Sequence, residues 1–289
     1  MQMIGFRIGS MLALLGLAFL PACTPDDEVN AAVVEVTASE DPLDVYIRDN
    51  FLEPYGVAVR YRYVDRYVAA TERVAPTRRE LVQPALDFLS KFWVEPYLQV
   101  SGGEEYFRNT VPAEVVLIGS PIFRTDGTVV LGTADAGARI TLTEINYIDE
   151  EDPDWVFRQL GTIYHEYAHI MHQRFNLPPN FQQISPQGYT SSGSWFSLND
   201  DQALRRGFVS PYGTSSFNED FAEVVAFLLY DPDFYTTYIN DEECTDEACL
   251  ERNQGRAMIR AKYNAILEHY RENTGVDLLQ LRENIQAKL

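Results

Sequence analysis

His165-Glu166-Tyr167-Ala168-His169-Ile170-Met171-His172 gathers three of the chain's four histidines into eight consecutive positions. Around them Val156, Leu160, Ile163, Tyr167 and Ile170 recur at helical spacing and form one apolar face. The spacing therefore predicts a helix from Asp154 to Phe175. On a helix, positions i and i+4 lie about 40° apart and one turn along, so His165 and His169 can each turn a ring nitrogen toward one metal ion. Glu166 is rotated by about 100° from His165, which takes it out of the ligand pair but leaves it in reach of a water beside the ion. H-E-x-x-H on a helix is the arrangement a hydrolytic zinc site needs. His172, a further turn along, reads as a plain surface histidine, as one lining the cleft, or as a hydrogen-bond donor behind a metal ligand.

Two histidines do not complete such a site, because catalytic zinc takes three protein ligands and keeps a fourth position for water. A metzincin would carry its third ligand six residues beyond His169, where this chain has Phe175. An acid from a later helix remains. Asn218-Glu219-Asp220-Phe221-Ala222-Glu223 opens the next strongly apolar helix, expected over Asn218 to Tyr230. Glu219 also fits a second reading, since Ser216-Phe217-Asn218-Glu219 matches a capping box. Asp220 reads as a solvated acid in the first turn.

These pieces resemble the gluzincins, and among them the lethal-factor-like metallopeptidases. That group pairs H-E-x-x-H with Glu-x-Phe-Ala-Glu and with a Tyr seven residues earlier. Here the matching residues are Glu219-Asp220-Phe221-Ala222-Glu223 and Tyr212. The resemblance implies a zincin-like fold and one zinc ion per chain held by His165, His169 and Glu219. It also implies Glu166 as the general base, Tyr212 as donor to the oxyanion, and Glu223 as hydrogen-bond acceptor behind a liganding His. A register shift of one turn would make Glu223 the ligand and Glu219 the cap. Peptide hydrolysis is the reaction implied, on a peptide or protein substrate.

The N-terminus speaks for location. Residues 1–22 carry one charge, Arg7, and an apolar run from Met11 to Leu20 that is too short to span a bilayer. The run ends in Leu20-Pro21-Ala22-Cys23, which resembles a bacterial lipobox and implies cleavage before a lipidated Cys23. Residues 23–43 then form an acidic tether without a basic residue. An acidic stretch behind the Cys resembles the surface-export signal of diderm bacteria, and Thr24 in place of Asp after the Cys fits the outer membrane, so the outer membrane, facing the cell surface, is the expected address. With its lipoprotein start the chain also resembles zinc metallohydrolase lipoproteins found beside TonB-dependent import systems, which implies a transporter and its surface lipoprotein as partners.

With Cys23 assigned to lipid, Cys244 and Cys249 remain, and an oxidising compartment favours a disulfide between them over two unpaired thiols. A net charge of −20, from 43 acidic and 23 basic residues, opposes nucleic-acid binding. His269 has no motif around it and reads as solvated.

The fold expected over residues 44–289 is α+β, with a small mixed sheet and helices first and a helical C-terminal part. Helices are predicted at Asp44 to Leu52 and at Thr77 to Glu95, the latter opened by the capping box Thr77-Arg78-Arg79-Glu80 and kinked at Pro84. Strands are predicted at Val57 to Val64, Ala113 to Gly119, Thr128 to Leu131 and Ala138 to Thr143, the last two separated by a turn around Ala134 to Gly137. Ala138 to Thr143 is either the edge strand that binds substrate or an ordinary internal strand. Further helices are expected at Pro232 to Ile239, Asp246 to Thr274 and Asp277 to Ala287. The stretch from Asn176 to Phe217, rich in Pro, Gly, Ser and Asn, reads as a long functional loop in which Trp195 contacts substrate or anchors the loop. An alternative from another class is a non-catalytic zinc-containing binding subunit of an importer. A closed structural site would take four protein ligands and have no use for Glu166.

Overall fold

The computed structural model describes residues 39–125, 129–130, 132–135, 138–190 and 193–289. The expected leader, Cys23 and the tether as far as residue 38 lie outside them. Residues 40–289 form one unit.

Helix α1 (Pro42–Ile47) starts where the Asp41 side chain accepts the Leu43 N–H and Pro42 fills the first turn. It runs through a π turn (Arg48–Leu52) into α2 (Glu53–Tyr55), which Gly56 ends with φ 74°. Strand β1 (Ala58–Arg60) is shorter than the alternating pattern suggested, pairing with its neighbour over three residues. After β2 (Glu72–Arg73) comes the long apolar helical stretch, as a 3-10 turn (Arg79–Leu81), α3 (Val82–Leu89), a π turn (Ser90–Val94) and α4 (Glu95–Leu98). The expected capping box does not form, because the Thr77 hydroxyl donates to the Leu117 carbonyl at 2.8 Å instead. Helix α5 (Gly103–Thr110), which is not among the predicted elements, buries Tyr106 and Phe107.

Two small sheets follow. One has the order β1-β3-β7-β6, from β3 (Glu114–Leu117), β6 (Gly132–Asp135) and β7 (Arg139–Leu142). Strands β1, β3 and β7 are parallel, with Val115 opposite Val59 on one side and Ile140 on the other. Strand β6 runs antiparallel to β7. The other sheet joins β2, β4 (Ile122–Arg124) and β5 (Val129–Val130) in antiparallel order. The turn expected around Ala134 to Gly137 is thus partly strand β6, and the expected strand Thr128 to Leu131 is described only at β5. Strand β7 lies between β3 and β6, so it is an internal strand and the edge beside it is β6.

The second half is helical. Helix α6 (Pro153–Phe175) is capped by Asp152, which accepts the Asp154 N–H at 3.0 Å, and it ends at Asn176 with φ 62°. It packs on β6 and β7 with one side and on α8 (Phe217–Tyr230) with the other. Gly161 faces the Tyr230 ring of α8 at this crossing. The loop between them holds a short helix, α7 (Asp200–Arg205), with a full Asn199/Gln202 capping box that the composition concealed. Helices α9 (Glu247–Thr274) and α10 (Leu278–Gln286) cover α8 from outside. One apolar cluster runs from Leu43 to Ile285 and includes Trp93, Trp155, Tyr167, Phe221 and Ile259. Among the described residues no helix is long and apolar enough to cross a membrane.

Candidate metal centre

Burial of the apolar face of α6 decides where its histidines point. Ile163, Tyr167, Ile170 and Met171 are 1% exposed or less, which turns His165 and His169 toward α8. There the sequence begins its helix with Ser216, whose hydroxyl accepts the Glu219 N–H at 3.2 Å. The capping reading and the ligand reading are therefore compatible. Ser216 caps through its own side chain, and the Glu219 carboxylate goes to the histidines.

His165 Nε2, His169 Nε2 and Glu219 Oε2 form a nearly equilateral triangle, with edges of 3.0, 3.0 and 3.1 Å. Donors bound at about 2.0–2.1 Å to one tetrahedral ion lie roughly 3.3 Å apart, so these three atoms have the spacing and chemistry of a zinc ligand set. These three residues offer ligand atoms that all lie within 4.8 Å of one another. Two ring nitrogens facing each other across one carboxylate oxygen need positive charge between them, from a proton or from a metal ion. Glu223 takes the other side of His165, its Oε1 accepting Nδ1–H at 2.7 Å. That bond leaves the Nε2 lone pair for the centre. The register is thus the one with Glu219 at the triangle and Glu223 behind it.

The charges follow from this packing. Burial opposes the imidazolium of His165, but Glu219 and Glu223 outweigh it and push the ring up to about 10. Burial also opposes the Glu219 carboxylate, yet the two histidines hold it well below the usual carboxylate range. Both shifts show a site that draws in positive charge. Tyr212 stands 37% exposed on a 3-10 turn, its ring centroid 5.7 Å from that of His165. Burial and the nearby Glu219, Glu166 and Glu223 raise its hydroxyl above the ordinary tyrosine value, so it keeps its proton. Trp195 packs edge-on against Tyr212 at 5.1 Å and so anchors that ring. Glu166 is half-buried, and its charge is felt at both His165 and Tyr212.

A family model described as "putative zinc-binding metallo-peptidase" matches residues 36–279. The chain belongs to this family. A zinc metallohydrolase is the activity that membership supports, and zinc is the ion it implies for the triangle. Among solved structures, a "putative zinc-binding metallo-peptidase" from Bacteroides caccae is similar, with 27% identity, a TM-score of 0.69, and coverage of 87% of this chain and 94% of that one. No curated protein matches the chain.

In this metallo-peptidase family member three residues differ from their expected surroundings. Asp220 is not a solvated first-turn acid. It is fully buried, with Lys262 Nζ at 2.7 Å and the Tyr189 hydroxyl at 2.7 Å. The signal was Lys262, one of three lysines in the chain, lying between Ile259 and Ile266 on a helical stripe. His172 is not a plain surface histidine, because its Nε2 meets His169 Nδ1 at 2.8 Å, and burial with the neighbouring His169 lowers it to about 4. His172 is therefore neutral, and its Nε2 shares one hydrogen bond with His169 Nδ1. His269 is not solvated but 7% exposed, with its Nε2 bonded to the Asn176 carbonyl at the end of α6. Cys244 and Cys249 form a disulfide at the start of α9, away from these groups in sequence.

Proposed function

We propose that this protein is a zinc-dependent peptidase of the gluzincin type, related to the lethal-factor-like metallopeptidases. The observation that carries the reading is the convergence of His165 Nε2, His169 Nε2 and Glu219 Oε2 within 3.1 Å of one another. In this reading those three residues hold one zinc ion. Bound zinc supplies a Lewis acid that polarises the scissile carbonyl and makes water a better nucleophile near neutral pH.

The chain's own groups then divide the work. Glu166 accepts the proton of the attacking water and hands it to the leaving amine. The Tyr212 hydroxyl, kept protonated by its surroundings, donates to the oxygen that gains charge. Glu223 holds the His165 ring in one orientation through Nδ1, and His172 does the same for His169. Substrate lies extended along β6, the edge strand beside α6, with main-chain hydrogen bonds fixing its direction.

The leader with its Cys23 supports a lipid-anchored protein of the bacterial outer membrane, working beside a TonB-dependent transporter and its surface lipoprotein. Replacing Cys23 by Ala is expected to move the protein from the membrane to the soluble fraction. The deciding experiment for the activity measures zinc content together with cleavage of a broad peptide library, for wild type and Glu166→Gln. Both proteins are expected to bind zinc and only the wild type to cleave. If both bind zinc and neither cleaves, the peptidase reading fails.

A further inference from the structure

One hydroxyl links the back of the zinc triangle to the turn that carries Tyr212. His165 Nδ1–H donates to Glu223 Oε1 at 2.7 Å, and the other oxygen of that carboxylate accepts the Ser210 hydroxyl. The Ser210 oxygen in turn accepts the backbone N–H of Gly213 at 3.1 Å. Gly213 follows Tyr212 in the 3-10 turn Tyr212–Ser215. That turn lies directly on α8, since a Cβ on Gly213 would stand 3.6 Å from Asp220 Cα and 3.7 Å from Glu223 Cβ. Its far side is fastened by the Thr190 N–H, which donates to the Thr214 carbonyl at 2.7 Å.

The chemistry of a serine suits this position. A hydroxyl has one proton to give and lone pairs to receive, so Ser210 satisfies the carboxylate and the amide at once. Donation to an ionised carboxylate is the stronger, charge-assisted kind, and each bond in such a chain polarises the next. Ser210 is 9% exposed, so water does not substitute readily for it.

We propose that Ser210 is a positioning residue that sets the orientation of His165, through Glu223, together with the placement of Tyr212, through Gly213. The inference rests on the reading of His165, His169 and Glu219 as zinc ligands. Partners that orient a metal ligand from outside typically matter by about 10–100-fold in metal affinity, and Ser210 stands one bond further out. The lower end, about tenfold, is therefore expected.

The test measures zinc affinity by chelator competition on the whole chain, for wild type, Ser210→Ala, Ser210→Thr, Glu223→Gln and the Ser210→Ala/Glu223→Gln double variant. Ser210→Ala is expected to bind zinc about tenfold more weakly. Ser210→Thr keeps the hydroxyl and is expected to restore affinity, which also guards against a fold defect in the alanine variant. In the Glu223→Gln background the Ser210→Ala loss is expected to disappear. An alanine variant with wild-type affinity overturns the proposal, as does a loss that persists in the Glu223→Gln background.

The Tyr212 half is read in saturating zinc. Ser210→Ala is expected to lower kcat with KM little changed, and to add no further loss to Tyr212→Phe. Losses that multiply there overturn the coupling. A wild type that binds zinc but cleaves no peptide ends the peptidase reading, while the zinc-affinity cycle still decides the role of Ser210. A wild type that binds no zinc overturns both.

Discussion

Asp220 and Lys262 form an ion pair with no access to water: Nζ lies 2.7 Å from Oδ2, and the side chains are 1% and 0% exposed. The pair joins α9 to α8 at the residue next to Glu219, and Lys262 also donates to the Gly207 carbonyl at 2.7 Å. The ammonium sits 3.7 Å from the Phe208 ring centroid, so the loop, α8 and α9 meet at one charge. Removing one partner leaves a buried charge alone. Lys262→Met is expected to destabilise the protein by about 3–5 kcal/mol, and the Lys262→Met/Asp220→Leu pair to recover a large part of it. Denaturant unfolding of the three proteins checks this. A double variant no more stable than Lys262→Met would show that the loss comes from packing and not from the orphaned carboxylate.

In the proposed reading, a proton on His165 and a zinc ion compete for the same ring. His165 is pushed up to about 10 in the folded chain, above the ordinary value of 6.5. A group with a raised folded pKa gives stability that is fully present below its unfolded value and lost as pH rises through the folded one. The zinc-free protein is therefore expected to lose stability between about pH 6.5 and about 10, and zinc binding at neutral pH to release protons. Zinc at 100 times its Kd is expected to add about 2.7 kcal/mol. Thermal melts across pH with and without chelator, and titration calorimetry in two buffers of different ionisation enthalpy, measure these. A zinc-free protein whose stability rises over that pH range would contradict the assignment of the proton to His165.

Helix geometry converts spacing into direction, so it pairs His165 with His169, whereas Glu219, Glu223 and Tyr212 entered through the resemblance to the gluzincins. A spacing of four positions from His165 to His169 means one face, while the cap at Ser216 starts the helix without saying where the Glu219 carboxylate goes. What could not be found depends on how the helices pack. Ser210 stands in a loop without periodicity, and its two bonds exist only because α8 brings Glu223 under that loop. Asp220 looked solvated because first-turn acids usually are, and its partner lies 42 positions away on α9. The short strands misled in the opposite direction. Alternation over Val57 to Val64 persists beyond Arg60, yet a strand lasts only as long as its neighbour offers hydrogen bonds, here for Ala58, Val59 and Arg60.

Tyr212 separates binding from turnover. Its ring lies beside His165 at 5.7 Å, but the triangle is completed by the two histidines and Glu219 without it. Tyr212→Phe keeps the ring that Trp195 packs against and removes the hydroxyl. It is expected to leave zinc content unchanged and to lower kcat about 10²-fold, the usual loss for one oxyanion donor. Metal analysis and steady-state kinetics on one cleaved peptide suffice. A variant with full turnover would remove Tyr212 from the chemistry, and one that loses zinc would make it part of the metal site.

The disulfide between Cys244 and Cys249 closes a loop with a sequence separation of 5, just where α9 begins. Two other devices already fix that start. Asp246 accepts the Cys249 N–H at 2.8 Å as the helix cap, and Glu242 holds Arg256 and Arg252 at 2.5 and 3.1 Å. A loop this short restricts the unfolded chain little, so chain entropy assigns the bond about 2 kcal/mol. For a domain of this size that corresponds to a fall in Tm of about 4–8 °C. Melting the protein with and without a thiol reductant, and melting a Cys244→Ser/Cys249→Ser variant, are expected to agree within this range. The cap survives in both cases, so helix content by circular dichroism is expected to stay unchanged below the transition. A loss of helix signal in the reduced protein would show instead that the bond, rather than Asp246 and Glu242, holds the first turn of α9.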